Sequence, residues 1–114
     1  MKQILISALL VVGAADMSLA ATASWTANKE ADLAGYNLYL APGACATPGA
    51  FAKVATYAKM ATSGAVPIAA DGTYCGKMTA FDTGGLESTT FSNTAEVTVN
   101  VNPPVAPAAF GMAP

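Results

Sequence analysis

The residues able to do chemistry are few, and their spacing suits it poorly. The chain has 114 residues, with seven acids, five lysines, two cysteines and neither histidine nor arginine. Without histidine, the usual general base for a serine or cysteine nucleophile is missing, and so is the commonest metal ligand. Glu30 and Asp32 form one acidic pair; Asp82 and Glu87 form another, with Gly84 and Gly85 between them. A weak calcium site is the only metal chemistry such loop acids suggest. Solvated turn residues are the plainer reading. A glycosidase-like carboxylate pair needs a cleft that a domain this small seldom has. No phosphate loop, zinc motif or glycosylation sequon is present. The expectation is a non-catalytic protein with no cofactor and no metal site.

Cys45 and Cys75 are the remaining reactive pair. They lie 30 residues apart and form no C-x-x-C motif, which argues against a redox role. Two cysteines without histidine make a poor zinc site. An even count favours a disulfide over two buried thiols, provided the chain is exported. The N-terminus supplies that condition. Lys2 gives one positive charge, residues 4–15 are apolar or small, and Ser18 and Ala20 end a small-x-small pattern. This is the layout of a secretory signal peptide cut after Ala20. The apolar stretch falls short of the roughly 20 residues that cross a bilayer as a helix, so no stable membrane span is expected. A buried first strand is the competing reading of residues 1–20. If the disulfide forms, closing its loop contributes roughly 3.5 kcal/mol in the chain-entropy treatment.

The rest of the composition excludes other classes. Net charge is −2 and the lysines are scattered, so no basic footprint for nucleic acid exists. The length fits one domain. Alanine, threonine, serine, glycine and proline dominate, which suits short strands and tight turns.

Those strands can be placed by period-two alternation. Ala21, Ala23 and Trp25 share one face of the first. Tyr36, Leu38 and Leu40 share a face of the next, with Asn37 and Tyr39 opposite. Over residues 51–59 a strand competes with a helix, and Val54 is the expected inward residue. Val66 and Ile68 flank Pro67 on an edge strand. Asp71-Gly72 is a turn. Tyr74, Gly76, Met78 and Ala80 then oppose Cys75, Lys77 and Thr79. Residues 82–85 turn again, and Ala95, Val97, Val99 and Val101 alternate with polar residues. Six strands with Gly/Pro/Asp turns predict an all-β antiparallel sandwich over residues 21–102. Residues 103–114, rich in proline and alanine, read as a flexible tail, with Phe110 and Met112 its only anchors.

These residues carry a family likeness. Ser24-Trp25-Thr26 and then residues 32–39 resemble strands B and C of fibronectin type III domains. Ile68, Asp71-Gly72-Thr73-Tyr74, Met78, Ala80 and Asp82 resemble the E–F turn and strand F. Ile68 lies six before Tyr74 and Ala80 six after it. Gly84, Glu87, Ser88 and Ser92-Asn93 resemble the F–G loop and the start of strand G. The resemblance implies an immunoglobulin-like sandwich whose core includes Trp25, Tyr36, Leu38, Ile68, Tyr74, Met78 and Ala80. Tyr74 would bury its ring and bond a backbone group through its hydroxyl. Cys45 and Cys75 would meet at one end, on the outer face. Strand A is either missing or supplied by the N-terminal segment.

The function expected from this is a secreted, periplasmic or cell-surface module that binds protein or glycan. Its binding surface would be the B–C and F–G loops, carrying Glu30, Asp32, Asp82, Gly84, Gly85 and Glu87, or the outer face around Tyr39. The alternative is a structural subunit of an extracellular assembly or a phage virion surface. There an open sheet edge or the C-terminal tail would make the self-assembly contact.

Overall fold

The computed structural model describes residues 11–14, as backbone, together with 21–100 and 106–113. Seven strands occur among them: β1 Val11–Ala14, β2 Ala21–Ser24, β3 Leu33–Pro42, β4 Ala52–Ala58, β5 Ser63–Val66, β6 Gly72–Asp82 and β7 Ala95–Val99. No helix of the described residues is long and apolar enough to cross a membrane. Two antiparallel sheets form, in the orders β1-β2-β5 and β4-β3-β6-β7. Their inner faces supply one core, so the fold is an immunoglobulin-like β-sandwich. The cleavage position after Ala20 lies outside the described residues. Within the expected signal segment, Val11–Ala14 pairs with Ala21–Ser24 at the place strand A would occupy.

The inward set follows the alternation. Ala21, Ala23 and Val66 from the smaller sheet face Tyr36, Leu38, Met78, Ala80, Val97 and Val99 from the larger. Val101 and the start of the tail lie outside the described residues. Because β2 presents two alanines, aromatic rings must fill the gap. Trp25 is buried against Tyr36, with centroids 5.4 Å apart, and against Tyr57 at 5.0 Å. The Trp25 backbone N–H bonds Thr62 O at 2.9 Å, which extends the β2 pairing past Ser24. Its indole N–H finds no acceptor among the described residues, so the side chain serves by volume. The Tyr36 hydroxyl accepts from the Asn28 N–H at 2.7 Å. At the far corner, the Tyr74 hydroxyl donates to Ala70 O at 2.9 Å, and Ile68 is buried close by in sequence. The corner carbonyl is therefore not left unsatisfied.

One inward assignment is corrected. Val54 is 37% exposed, while Ala55 and Tyr57 pack on the core. Tyr57 pairs with Tyr36 and Ala55 with Leu38, but Lys53 pairs with Tyr39, which leaves Val54 as the extra residue of a β-bulge. Local hydrophobicity pointed to Val54; the strand register belongs to Tyr57. That ring crosses toward β5, where its hydroxyl donates to Ala65 O. Gly64 makes room for it, since a Cβ there would sit 2.2 Å from Tyr57 Cε1.

The disulfide is formed. Cys45 and Cys75 have a Cα separation of 4.9 Å. Cys75 is buried on the outer side of β6, and it staples down the loop that follows β3. The same loop is tied by Gly43 N to Thr73 O at 2.8 Å and by Cys45 N to the Glu96 carboxylate at 2.8 Å.

Two stability outcomes follow from this packing. Gly64→Ala forces the Tyr57 ring away from Trp25 and should destabilise by about 1–3 kcal/mol, the usual cost of overpacking; chemical denaturation would measure it. Reducing the disulfide should cost roughly 3.5 kcal/mol, a fall in Tm of about 15–25 °C for a domain this size. A Tm unmoved by reductant would contradict that.

Candidate binding face

The outer side of the four-stranded sheet is built in rows, because residues directly paired across strands share a face. Asn37 on β3 pairs with Thr56 on β4 and Thr79 on β6. One step along, Tyr39 pairs with Lys53 and Lys77. On the other side of Asn37, Gly35 pairs with Phe81. A Cβ at Gly35 would lie 2.8 Å from Phe81 Cζ, so the glycine lets that ring lie across the strand. The rows are polar, aromatic and cationic, unlike the aliphatic inner face.

Glu87 joins these rows. It leaves β6 through the Asp82 turn and bridges back to Phe81. Its Oε2 accepts from Tyr39 OH at 2.6 Å, from Asn37 Nδ2 at 3.2 Å and from the Thr79 hydroxyl. Asn37 is held in turn by Thr56, whose hydroxyl donates to Asn37 Oδ1 at 2.9 Å. One carboxylate oxygen thus gathers side chains from two strands, and a third strand supports them. Partial burial pushes the Glu87 carboxyl up. The bonds from Thr79, Tyr39 and Asn37 and the Lys53 ammonium outweigh that and hold it below the ordinary value of 4.5. The Tyr39 phenol is pushed from 10.0 up to about 12, by burial first and then by the bond to Glu87 and its charge.

Beside this cluster lies an aromatic patch. Phe91, 42% exposed, meets Tyr39 edge-on at 5.3 Å. The Lys77 ammonium sits 3.8 Å from the Phe91 centroid and 4.1 Å from that of Phe51. Such cation–π contacts hold a lysine flat against the sheet. A polar pocket of about 300 Å³ opens on the other side of Glu87, lined by Asn37, Lys53, Thr56, Phe81, Gly85 and Glu87.

The loop residues singled out from the sequence divide. Thr83 N bonds Asp32 O at 2.9 Å, which brings the loop before β3 and the loop after β6 to one end. Asp82 is buried, and its Oδ1 accepts from Gly84 N at 2.9 Å and Leu86 N at 2.8 Å. Its carboxylate is spent on the turn. Gly85, at φ +86°, closes that turn. Glu30 accepts from Asn28 Nδ2 at 3.3 Å and lines a separate pocket with Lys29, Lys59 and Met60. Among the described residues no three acids or cysteines gather as a metal site would need. Only Gly85 and Glu87 reach the sheet face. Sequence reasoning missed Lys53, Thr56, Thr79, Phe51, Phe81 and Phe91 as their neighbours. The outward parity of Asn37, Tyr39, Lys77 and Thr79 was visible; their pairing across strands was not.

No family model matches the chain, and no curated protein sequence does. Solved structures match its fold. A Fn3-like protein from Clostridium thermocellum superposes with a TM-score of 0.57 at 19% identity, over 77% of this chain and 84% of that one. The pectate lyase PelI from Erwinia chrysanthemi, solved with tetragalacturonic acid, gives 0.59 at 13% identity, over 80% of this chain and 28% of that one. The spore cortex lytic enzyme SleM from Clostridium perfringens gives 0.53 at 21%, over 81% and 29%. The chain therefore has a Fn3-like fold, and it spans less than a third of either enzyme. Its disulfide belongs to an oxidising compartment.

The Glu87 cluster makes a signed prediction about pH. A carboxyl whose folded pKa is depressed stabilises the fold above its unfolded pKa, and that contribution is lost as pH falls through the folded value. Wild type should lose stability as pH drops below 4.5, and Glu87→Gln should lose less over the same range. Tyrosinate absorbance should show one tyrosine titrating near 12, at a lower pH in Glu87→Gln.

Proposed function

We propose that this protein is an exported, non-catalytic Fn3-like module that binds protein or glycan through the outer face of β4-β3-β6-β7. The observation that carries the reading is the Glu87 carboxylate, held by Asn37, Tyr39 and Thr79 between an aromatic patch and a polar pocket. Rigid aromatic rings beside fixed polar groups are the usual makings of a recognition surface. Two of the fold neighbours are named as a pectate lyase and a cortex lytic enzyme, which supports work on or beside polysaccharide.

A structural subunit is the second reading. It rests on Phe110 and Met112, which stand 79% and 89% exposed in the tail and offer apolar anchors for a neighbouring copy.

The test pairs binding with mass. The full chain, printed against arrays of cell-wall glycans and surface proteins, should bind a definite subset, and Phe91→Ala should abolish most of that signal while lowering Tm by about 4–8 °C. Light scattering should give a monomer. Rings or filaments that dissolve on Phe110→Ser, with no array signal, would favour the subunit instead.

A further inference from the structure

We infer that the pocket lined by Asn37, Lys53, Thr56, Phe81, Gly85 and Glu87 takes one neutral pyranose ring through a vicinal pair of hydroxyls. This rests on the outer sheet face being the binding surface, and it names the ligand class and the subsite. Size comes first. About 300 Å³ lies at the lower end of the roughly 300–1,000 Å³ typical of ligand pockets, so one small ring fits and a folded partner does not.

The lining chemistry narrows the class further. All three donors to Glu87 reach Oε2. Among the described residues none goes to Oε1, which is left to accept from a ligand. The Thr56 hydroxyl spends its proton on Asn37 Oδ1 and so offers only its lone pairs. Lys53 is exposed and supplies donors. Acceptors and a donor side by side match hydroxyls that each give one hydrogen bond and take another. Phe81 adds a ring wall on which the C–H face of a sugar packs. The charges of Lys53 and Glu87 cancel, so the pocket carries no net attraction for an anion and favours a neutral ring. An apolar peptide anchor would leave the polar lining unpaired. The clamp on Glu87 also preorganises the acceptor, so little ordering is needed on binding.

The full chain, labelled for NMR, would be titrated with methyl hexopyranosides of gluco, galacto and manno configuration, and with methyl galacturonoside. At least one neutral glycoside should shift the Gly85 amide and the Asn37 side-chain amide, saturating with a Kd of about 1–10 mM. Lys53→Ala, which breaks no hydrogen bond of the fold, should weaken that binding roughly tenfold, as should Glu87→Gln. An oligosaccharide ending in the same sugar should bind at least as tightly if the source is a glycan, and more weakly if it is the free sugar. Shifts from the uronoside alone, shifts confined to Phe51 and Phe91, or none at about 100 mM would overturn the inference. Array binding that falls with Phe91→Ala but survives Lys53→Ala would overturn the pocket and leave the face standing.

Discussion

The fold depends on Trp25 filling the space that the alanines of β2 leave between the two sheets. β2 brings Ala21 and Ala23 to the interface, and alanine leaves a gap. The indole closes it by packing against Tyr36 from one central strand and Tyr57 from an edge strand. Such ring contacts contribute about 0.5–1.5 kcal/mol each beyond the area they bury. Tyr57 then reaches Ala65, so a single cluster links both sheets and fixes the register of β4. The bulge at Val54 is the local consequence.

The ends of the sandwich are held by different means. At one, Tyr74 bonds Ala70 and the disulfide pins the loop after β3 to β6. At the other, Asp82 organises the turn after β6, and Thr83 bonds the backbone of Asp32. These anchors matter because a small domain buries a modest share of its surface. They also set where the outer face is rigid. Glu87 follows directly from the Asp82 turn, so the turn aims its carboxylate at Asn37, Tyr39 and Thr79.

That placement gives the outer face its character. A half-buried carboxylate is costly unless its partners are in position. Here they arrive on pleat-aligned rows of β3 and β6, with β4 in support. The result is an ionised group that stays ionised, a phenol that stays protonated, and a lysine held on two rings.

Much of this was legible in the amino-acid order. The period-two runs around Tyr36, Met78 and Val97 mark strands because pleating alone alternates side chains. The even cysteine pair and the spacing of Ile68, Tyr74 and Ala80 are also local or nearly local facts. Val54 misled for the same reason: within its own segment it is the most hydrophobic residue, and only pairing with β3 reveals Tyr57 as the inward one. The candidate site lay further from reach. Glu87 looked like a loop acid beside Asp82, and Thr56 and Lys53 looked like nothing in particular. They meet Asn37 and Tyr39 because antiparallel register brings together residues that are 14 to 50 apart in the chain. The sequence by itself determined most of the strands and most of the residues they bury, with β4 the exception, where pairing with β3 turned Tyr57 inward in place of Val54. Only the tertiary structure decided which outward residues stand side by side, because that depends on register, and register is set by the aromatic packing between the sheets.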